Sequence, residues 1–472
     1  MKTRLDAELV RRGLARSRES AVELITTGKV LVTGIRATKA ATQVDAQTSI
    51  TLADEQSEYV SRGGHKLVGA LDSFSQLNVK GKTALDAGAS TGGFTDVLLK
   101  RGVVKVVAVD VGYGQLAWEL QKDERVKILD RVNVRNLTPT QVGEEIDLVY
   151  SITYPYNMDM VTVNGKSVPK CVFYTSEFAT LEPHYFSCTD TDLTSDEKIK
   201  EYISNTNNLY MTSPSVWSSL GMKKYGLPDT RNNIITHGVD PDLFKYDITR
   251  RRRVRDFYKV EDNDILMINI GSMTRNKGML YIIQILNILV NRFGKTYYKL
   301  LLKGTGDLYN SKMFLEIYFS ELRNANAITS EEMDILLTKN IIFTDKTLSY
   351  EKINDLFNAA DLYFSPYFAE GFNLTSLEAL SAGLPVVIPE TGSTREYIRN
   401  IYDNGGQEHI LYIPSQVVED ERGFKQNNID FKDLLDVFLT GEDNIRNLQK
   451  TRATVGVDSY KIMKNYITDN YS

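Results

Sequence analysis

Two glutamates flank a glycine loop in the stretch SPYFAEGFNLTSLEALSAGLPVV. Glu370 stands on the loop, and Glu378 follows eight residues later, inside a predicted helix whose first turn comes after Gly371-Phe372-Asn373-Leu374. Free N–H groups at the start of such a helix can bind a diphosphate. Glu378 can accept hydrogen bonds from ribose hydroxyls, whereas Glu370 is better placed for the hydroxyls of a sugar. Two solvated surface glutamates are the alternative that these residues alone leave open.

Three cations stand in predicted loops of the same region. Arg275 and Lys277 lie in GSMTRNKG, after one predicted strand, and Lys303 ends another in YYKLLLKGTG. Ligands of open α/β sheets bind at the carboxyl ends of the strands, and Arg and Lys pair with phosphate oxygens. The three side chains therefore indicate a phosphorylated ligand, and a diphosphate fits.

A second glycine-rich turn occurs much earlier, in KTALDAGASTGGFTDVLL. The pattern predicts a strand, a turn containing Gly88, Gly92 and Gly93, and a helix that offers free N–H groups. Asp110 ends the next strand, about 20 residues after the turn, where a carboxylate can hold two ribose hydroxyls. This order indicates a nucleoside-bearing cofactor. NAD is disfavoured because the turn reads GASTGG, whereas the dinucleotide fingerprint is GxGxxG.

The first 39 residues carry a local excess of five positive charges. Apolar residues at helical spacing, with Ser17 as the expected N-cap of the second segment, predict two short helices with arginines on their outer faces. The stretch GKVLVTG at 28–34 predicts a hairpin. Helices bearing arginine beside a hairpin can bind a phosphate backbone by charge and shape, as in structured RNA. Charge alone leaves a solvated charged face equally open.

Length and composition bound the remaining possibilities. A chain of 472 residues is expected to form about three domains. The net charge of -5 excludes an overall basic bias, so any RNA contact must be local. Two cysteines, Cys171 and Cys188, cannot form a disulfide framework, and they lack the CxxC spacing of a zinc site. We expect a cytoplasmic protein without a signal peptide or a transmembrane segment, because the N-terminus has no apolar core and the longest apolar run is interrupted.

From Tyr150 onward, short β-rich runs alternate with helical segments, which predicts a parallel sheet with helices on its faces. The runs are KCVFYTSEF, NNLYMTSPS, NNIITHGVD, DILMINIGS, YYKLLLKGTG, DLYFSPY and LPVVIPE. The basic stretch from Arg250 to Arg255 favours a solvated linker. We therefore place a boundary between two lobes near 250–260.

The order RLDAELVRRGLARSRESAVELITTGKVLVTG resembles the S4 RNA-binding domain. With YVSRGGHKLVGAL and DVGYGQLAWEL on either side of the glycine turn, residues 1–149 resemble the TlyA (hemolysin-like) family of S4-containing ribosomal-RNA 2′-O-methyltransferases. The resemblance implies RNA contacts at Arg4, Arg11, Arg12, Ser17, Arg18 and Lys29. It implies S-adenosylmethionine binding at Gly88, Ser90, Thr91, Gly92, Gly93 and Asp110.

That family uses a Lys-Asp-Lys-Glu set around the ribose hydroxyl, and its first lysine maps onto Lys66 as a catalytic residue. A ribose 2′-OH is a poor nucleophile and needs a base and fixed charges nearby. Without the resemblance, Lys66 would be an ordinary surface lysine. The second member would follow Asp147-Leu148-Val149, but Ile152 stands at that place, and no family-like continuation supplies the other two. The sequence therefore predicts cofactor binding with an incomplete set for methyl transfer.

The later motifs resemble the retaining, GT-B-fold glycosyltransferases of family 4. Their E-x7-E pattern is matched by Glu370 and Glu378, and IITHGVDPDLF, GSMTRNKG and LLKGTG precede it in the expected order. The resemblance implies a UDP- or GDP-linked sugar donor, no required metal, and retention without an enzyme nucleophile, with Glu370 as the catalytic-site glutamate. Residues implied in donor binding are Gly271, Arg275, Lys277, Lys303, Glu370, Gly371, Phe372, Asn373, Leu374 and Glu378.

The first lobe of that family normally begins with a glycine-rich strand-turn-helix that holds the acceptor, often with a catalytic histidine. No such start stands between Tyr150 and Cys171. His184, His237 and His409 match no clear motif for a base, so structural or exposed roles are expected for them. The acceptor half is therefore predicted to be truncated at its beginning.

Tyrosine usage changes sharply at the meeting point of the two resemblances, since only Tyr59 and Tyr113 precede residue 149. We predict a chimera joined near 149/150, inside a strand that both families share. In it, a cofactor-binding half-lobe would supply the early strands of a doubly wound sheet in place of an acceptor half-lobe. Two unrelated halves should leave cavities or strain of several kcal/mol.

The predicted fold class is α/β, with a small S4-like α+β N-terminal domain followed by two Rossmann-like doubly wound lobes, the last a GT-B donor-binding lobe. The predicted domains are 1–60 (S4-like), 61–149 (half of a methyltransferase), 150–255 (remainder of a GT-B N-terminal lobe) and 256–472 (nucleotide-sugar-binding lobe). The favoured function is a glycosyltransferase with a methyltransferase-like front end. An rRNA 2′-O-ribose methyltransferase with a foreign C-terminal segment, and a non-catalytic RNA-binding chimera, are the alternatives.

Overall fold

The computed structural model describes residues 3–12, 14–15, 17–26, 28–32, 35–45, 48, 50–52, 59–61, 63–74, 77–133, 137–143, 145–152, 162–163, 166–167, 170–173, 195–205, 207–306, 310–419, 425–453 and 467. Contacts divide the chain into two compact units. The first unit is formed by residues up to Ile235, apart from two short segments, and the second mainly by Thr236–Ser472.

The N-terminal end of the first unit is a small α+β module. Its elements are β1 (Thr3–Arg4), α1 (Leu5–Arg11), α2 (Arg18–Thr26), β2 (Val30–Val32), β3 (Ile35–Arg36), β4 (Gln43–Val44) and β5 (Ile50–Leu52). β3, β2 and β5 form an antiparallel sheet in that order, and β1 pairs with β4. Apolar side chains of both helices and β2 form one core, including Leu5, Leu9, Ile25 and Val30. The two predicted helices and the hairpin are therefore confirmed.

The rest of the first unit is built around a seven-stranded sheet. Its elements are α3 (Gly64–Ser73), β6 (Thr83–Ala87), α4 (Gly93–Lys100), β7 (Lys105–Asp110), α5 (Trp118–Gln121), β8 (Val126–Asp130), α6 (Pro139–Val142), β9 (Leu148–Ile152), β10 (Thr162–Val163), β11 (Lys166–Ser167), β12 (Lys170–Phe173), α7 (Asp196–Asn205), β13 (Leu209–Ser213), α8 (Val216–Lys223) and β14 (Asn232–Ile234). The strand order is β14-β13-β12-β9-β6-β7-β8, and all neighbours are parallel. β10 and β11 form a separate two-stranded pair.

The predicted joint lies inside β9, the central strand of this sheet. On one side β9 pairs with β6, with Leu85 opposite Val149, and on the other side it pairs with β12, with Lys170 opposite Val149. The chain therefore forms one sheet from strands that precede and follow residue 149, as predicted. The bounds of the four predicted domains remain predictions.

Apolar packing in the first unit crosses the predicted joint. Phe74, just after α3, is fully buried, and its ring centroid lies 5.2 Å from that of Tyr210 in β13. A Cβ built at Gly69 in α3 would lie 3.0 Å from the Ile235 side chain. The Asn233 side-chain amide donates to the Ser73 carbonyl at 3.3 Å. The two halves thus share a close-packed apolar core.

Hydrogen bonding in the same unit is less complete. In the strands that follow the joint, three buried side-chain oxygens have no hydrogen-bond partner among the described residues: Thr212 Oγ1, Ser213 Oγ and Asn232 Oδ1. All three belong to the adjacent strands β13 and β14. A buried hydroxyl without a partner costs about 1–3 kcal/mol. Both strands follow the joint, so the cavities or strain predicted between the two halves remain a prediction.

The second unit contains a six-stranded parallel sheet in the order β17-β16-β15-β18-β19-β20. Its elements are α9 (Ile248–Tyr258), β15 (Ile265–Ile270), α10 (Met279–Asn287), β16 (Tyr298–Lys303), α11 (Ser311–Asn324), α12 (Ser330–Ile335), β17 (Ile341–Thr344), α13 (Tyr350–Ala359), β18 (Leu362–Phe364), α14 (Leu374–Ser381), β19 (Val386–Pro389), α15 (Arg395–Ile401), β20 (Ile410–Ile413), β21 (Ser415–Glu419), β22 (Lys425–Ile429), α16 (Phe431–Thr440) and α17 (Glu442–Ala453). Buried residues form clusters on both faces of the sheet, as the predicted α/β class requires.

The basic stretch predicted as a solvated linker is instead the helix α9. Its N-cap residue Asp247 accepts hydrogen bonds from two backbone N–H groups of the first turn. Arg251 and Arg255 are buried and both form ion pairs with Asp361, which is itself buried. The linker prediction was wrong because charge counting does not reveal a buried carboxylate that lies 110 residues from Arg251 and 106 from Arg255 in the sequence.

None of the helices in the described part of the chain is both long enough and apolar enough to span a lipid bilayer.

Candidate functional site

Three loops at one edge of the second unit's sheet carry the predicted donor residues. β16, β15 and β18 are neighbours, and because they are parallel, their carboxyl ends lie at the same edge. Residues 271–278 follow β15, residues 304–306 follow β16, and residues 365–373 link β18 to α14. The sheet topology therefore brings the three motifs together at the edge where ligands of α/β proteins bind.

The loops after β15 and β18 contact each other directly. The backbone after Arg275–Lys277 turns at Gly278, whose φ is 70°, and a Cβ there would lie 2.1 Å from the Pro366 carbonyl oxygen. Only glycine fits this position, because the left-handed backbone and the close approach both exclude a side chain. Gly271 directly follows β15, and its N–H donates to the Lys303 carbonyl at 3.0 Å.

The three predicted cations have different environments. Lys277 forms an ion pair with Glu370, which joins two of the predicted motifs. Arg275 is exposed and pairs with Glu321 of α11. Lys303 is buried and its ammonium group donates to the Gly304 carbonyl. Burial lowers the pKa of Lys303, although nearby Asp345 favours its charged form.

The start of α14 is held by aromatic and polar contacts. Asn373, with φ of 59°, precedes the helix, and its carbonyl accepts a hydrogen bond from the Tyr397 hydroxyl at 2.8 Å. Phe372 stacks on Tyr397 with ring centroids 4.8 Å apart, and the His237 ring meets Phe372 edge-on at 5.1 Å. These contacts fix the direction of the free N–H groups at the start of α14.

The remaining donor residues occupy the positions that the motif predicts. Gly371 lies on the loop before α14, Leu374 begins the helix, and Glu378 lies inside it. Glu370 and Glu378 are both largely buried, with 7% and 8% of their surface exposed. Buried carboxylates need partners, so a role as solvated surface residues is excluded for both.

The glycine turn of the first unit lies after β6. Gly88 and Gly92 have φ of 94° and 93°, and Ser90 between them has φ of 48°. A Cβ at Gly92 would lie 2.4 Å from Leu120, whereas nothing lies within 4 Å of one at Gly88. Gly92 is therefore required by packing, and the backbone at Gly88 faces open space. Thr91 and Gly93 complete the turn, and Gly93 begins α4.

Asp110 closes this turn from the end of β7. Its two carboxylate oxygens accept backbone hydrogen bonds from Ser90 at 2.8 Å and from Gly112 at 2.7 Å. Each oxygen keeps a further lone pair for a ligand hydroxyl. The carboxylate therefore orders the glycine turn and remains able to bind a ribose.

Asp86, at the end of β6, is a residue that sequence reasoning missed. It is fully buried, and its Oδ2 accepts from the Thr95 N–H at 3.1 Å and the Thr95 hydroxyl at 2.7 Å. Its Oδ1 has no partner among the described residues. Burial raises the pKa of Asp86 to about 6, against the opposing effect of the Thr95 hydrogen bonds. The signal that could have identified Asp86 in the sequence is its position shortly before Gly88, at the end of the strand in the strand-turn-helix pattern.

An orphaned buried carboxylate oxygen and an open backbone at Gly88 fit a bound cofactor with a polar, cationic part. Lys66, the predicted catalytic lysine, lies in α3 and is half-buried. Ile152 ends β9, at the position where the second catalytic residue was sought. His184 lies outside the described residues, and His409 is buried, which lowers its pKa to about 4.

Two buried acids organise the arginines of the N-terminal module. Asp6 accepts hydrogen bonds from Arg4 and Arg18, and Glu8 forms ion pairs with Arg11 and Arg12. The arginine hydrogen bonds lower the pKa of both carboxyls to about 2, because they favour the charged form.

The predicted RNA-facing residues do not all present free donors. Arg12 also donates to the carbonyls of Asp45 at 2.8 Å and Thr48 at 2.7 Å, and is only 21% exposed. The side chains of Arg4, Arg11 and Arg18 are 47%, 60% and 60% exposed. Ser17 precedes α2, and Lys29 precedes β2. The geometry thus gives Arg12 a structural role and leaves three arginines on the surface.

Three family models match separate regions of the chain. The S4 domain matches residues 3–50, the FtsJ-like methyltransferase matches 59–168, and Glycosyl transferases group 1 matches 264–420. The chain therefore contains regions similar to each of these three families, and the resemblances predicted from the sequence are confirmed. The methyltransferase match runs past the predicted joint.

The 16S/23S rRNA (cytidine-2′-O)-methyltransferase TlyA of Mycobacterium tuberculosis is 58% identical over 149 residues, which are 31% of this chain and 55% of that protein. The chain spans about half the length of the curated relatives that its N-terminal region matches.

Two solved structures share the fold. A glycosyltransferase from Rickettsia africae has 16% identity and a TM-score of 0.53, covering 83% of this chain and 94% of that one. Anabaena HepE in complex with UDP-glucose has 15% identity and a TM-score of 0.50, covering 82% and 98%. Residues 150–472 are only about two thirds of the chain, so both alignments include part of the first 149 residues. The likeness is thus to a fold that includes strands from before the joint.

Proposed function

We propose that this chain is a glycosyltransferase that takes a sugar from a UDP- or GDP-sugar, with a methyltransferase-like front end. The observation that carries the proposal is the ion pair between Lys277 and Glu370, beside the start of α14. It joins a cation suited to a diphosphate with an acid suited to a sugar, at the carboxyl edge of a parallel sheet. The match of residues 264–420 to group 1 glycosyltransferases supports the same conclusion.

Each predicted residue has a proposed part in binding the donor. The N–H groups at the start of α14, with Arg275, Lys277 and Lys303, would face the diphosphate, and Glu378 would accept from the ribose hydroxyls. Glu370 would hold the sugar hydroxyls. Gly271 and the Gly371–Leu374 segment would let the backbone approach the ligand.

The transfer step needs no group beyond donor and acceptor. The acceptor hydroxyl oxygen forms a bond to the anomeric carbon, and the bond from that carbon to the diphosphate oxygen breaks. The acceptor proton passes to the departing diphosphate, whose negative charge the cationic side chains stabilise. We propose retention of configuration and no metal, on the basis of the family-4 resemblance.

Turnover of a labelled donor tests the proposal. Glu370→Gln should lower the rate of sugar release from UDP-glucose or GDP-mannose by about 100-fold or more, because a polar contact made in the transition state is lost. Glu442→Gln is the matched control, since Glu442 also pairs with a lysine, Lys295, but that lysine precedes β16 at the opposite edge of the sheet. Equal rates for both variants and the wild type would refute the role of Glu370.

The front end is proposed to bind S-adenosylmethionine without completing methyl transfer. The turn from Gly88 to Gly93, Asp110 and the orphaned oxygen of Asp86 would hold it, and the cofactor would supply an electrophilic methyl group. Lys66 remains the proposed catalytic lysine for the ribose hydroxyl, but Ile152 stands where a second catalytic residue is needed. A full rRNA 2′-O-methyltransferase is therefore the weaker alternative.

The N-terminal module is proposed to bind structured RNA through Arg4, Arg11 and Arg18, with Ser17 and Lys29 nearby. The relative from M. tuberculosis is an rRNA methyltransferase, and the charge of the module supports a phosphate contact. A non-catalytic RNA-binding chimera would show this binding without any transfer. The two-cysteine composition supports the proposed cytoplasmic location.

A further inference from the structure

Two asparagines donate hydrogen bonds to three successive backbone carbonyls directly before Glu370. Asn427 Nδ2 donates to the Tyr367 carbonyl at 3.2 Å, and the Asn427 backbone N–H donates to the Phe368 carbonyl at 2.7 Å. Asn276 Nδ2 donates to the Ala369 carbonyl at 3.0 Å. The segment 367–369 is not part of a helix or strand, so these bonds replace the regular backbone partners.

Asn276 also binds the segment through its own backbone. Its carbonyl accepts the Phe368 N–H at 2.7 Å, and its side-chain Oδ1 accepts the Thr274 hydroxyl at 2.6 Å. The next residue, Lys277, forms the ion pair with Glu370. One turn of chain thus holds both the carboxylate of Glu370 and the backbone that precedes it.

Asn427 holds the segment from the other side. It lies in β22 and is 2% exposed, and its Oδ1 accepts the Thr391 hydroxyl at 2.9 Å. A Cβ at Gly392 would lie 2.9 Å from its side-chain amide, so little room exists for any larger group. Each side-chain amide donates its N–H to a carbonyl of the segment, and its oxygen accepts a hydrogen bond from a neighbouring hydroxyl. A carboxylate cannot supply this combination, because it has no N–H donor.

We propose that Asn276 and Asn427 are positioning residues that hold the 367–369 backbone and thereby set the Glu370 side chain for the sugar of the donor. This inference rests on the proposed function, because it assigns Glu370 to the sugar. A polar group that contacts substrate must be held by surrounding hydrogen bonds, and a displacement of about 1 Å can cost about 100-fold in rate.

The test compares Asn276→Asp and Asn427→Asp with the control Asn340→Asp. Asn340 is buried and donates to the carbonyls of Thr296 and Tyr298, but it precedes β17 at the opposite edge of the sheet. All three changes replace an amide donor by a carboxylate oxygen, at buried sites for Asn427 and Asn340 and at a half-buried site for Asn276. A general loss of stability should therefore be common to them, whereas a loss of positioning should occur only in the first two.

Affinities for UDP and UDP-glucose, or GDP and GDP-mannose if the wild type prefers them, separate positioning from folding. We expect at least about tenfold weaker binding of the sugar nucleotide by both positioning variants. Affinity for the free nucleotide should stay within about twofold of wild type in Asn427→Asp. In Asn276→Asp it should fall less than the affinity for the sugar nucleotide, because the new charge lies between Arg275 and Lys277. Sugar release should fall by about 10- to 100-fold in kcat/KM. Asn340→Asp should leave all of these values within about twofold. Sugar-nucleotide affinity equal to that of the control would overturn the inference.

Hydrogen exchange of the ligand-free chain gives a second readout that does not need a donor. The amides of Phe368 and Ala369 should exchange at least about tenfold faster in Asn276→Asp and Asn427→Asp than in Asn340→Asp. If the wild type binds no sugar nucleotide, the proposed function fails, and this exchange result alone decides whether the two asparagines hold the segment. Unchanged exchange in both variants would overturn that part.

Discussion

Replacing Phe74 and Tyr210 by alanine, singly and together, tests whether the parts of the chain before and after the predicted joint form one core. Phe74 lies before residue 149 and Tyr210 after it, and their rings are 5.2 Å apart at the centroids with a 59° angle between their planes. Phe74 is fully buried in a cluster that also contains Leu67, Leu71 and Val106. Each single change removes one ring from that cluster.

The expected magnitudes follow from this geometry. Phe74→Ala should destabilise the first unit by about 3–5 kcal/mol, because a fully buried ring leaves a cavity. Tyr210→Ala should cost less, since Tyr210 is only half-buried. A tilted aromatic pair is worth about 0.5–1.5 kcal/mol beyond buried area, so the double variant should be less destabilised than the sum of the singles by that amount.

Two experiments measure the stability of the shared core. Urea unfolding of the full chain gives the free energies, and hydrogen exchange of β13 (Leu209–Ser213) gives the local stability. Leu9→Ala, in the separate core of the N-terminal module, is the control and should leave exchange of β13 unchanged. Additivity of the Phe74 and Tyr210 changes to within about 0.3 kcal/mol would refute the shared core, because independent sites add. Unchanged β13 exchange in Phe74→Ala would refute it as well.

Four further changes test other parts of the structure. The folded pKa of Asp86, about 6, lies above its usual value of 3.8, so wild-type stability falls as pH rises between these values. The free energy of unfolding of Asp86→Asn, measured by melting, should therefore rise by up to about 3 kcal/mol relative to wild type from pH 4 to pH 7. A difference that does not depend on pH would contradict this. Thr212→Val should leave stability unchanged or raise it by about 1 kcal/mol, whereas Thr95→Val, which removes a donor to Asp86, should cost about 1–3 kcal/mol; equal losses in chemical unfolding would be the contrary result. Asp361→Asn should cost about 3–5 kcal/mol, because two buried arginines lose their partner, and a loss under 1 kcal/mol would refute the buried ion-pair account. Arg11→Ala should weaken binding to an rRNA fragment and lower the salt slope by about one, as measured by titration at several salt concentrations, and an unchanged slope would exclude a phosphate contact.

The main elements could be predicted because their patterns are local. Each of the seven predicted β-rich runs, from KCVFYTSEF to LPVVIPE, contains an observed strand, and Gly88 and Gly92 of the predicted turn have positive φ. β-branched and aromatic runs bounded by glycine or polar residues specify strands without reference to distant residues. The order of strands then places the motif loops at one edge of the sheet, as Glu370 and Lys277 illustrate.

The features that were missed depend on contacts between distant residues. Asn427 is an unremarkable residue in KQNNI until β22 pairs with β21 and brings it against the Tyr367 segment. Asn276 was visible inside GSMTRNKG, but only the fold shows that it faces Ala369. α9 was taken for a linker because its buried partner, Asp361, is far away in sequence. Local charge and spacing carry no information on such pairings.

The most direct test of the proposed glycosyltransferase is the melting temperature of the purified chain with UDP-glucose, GDP-mannose and S-adenosylmethionine, each at 100 times an independently measured Kd or, without one, at 5 mM. A ligand at 100 times its Kd stabilises the unit that binds it by about 2.7 kcal/mol. The account predicts that at least one sugar nucleotide raises the transition of the second unit and that Glu442→Gln retains this shift. No shift with any sugar nucleotide would contradict the proposed donor site, even if S-adenosylmethionine stabilised the first unit.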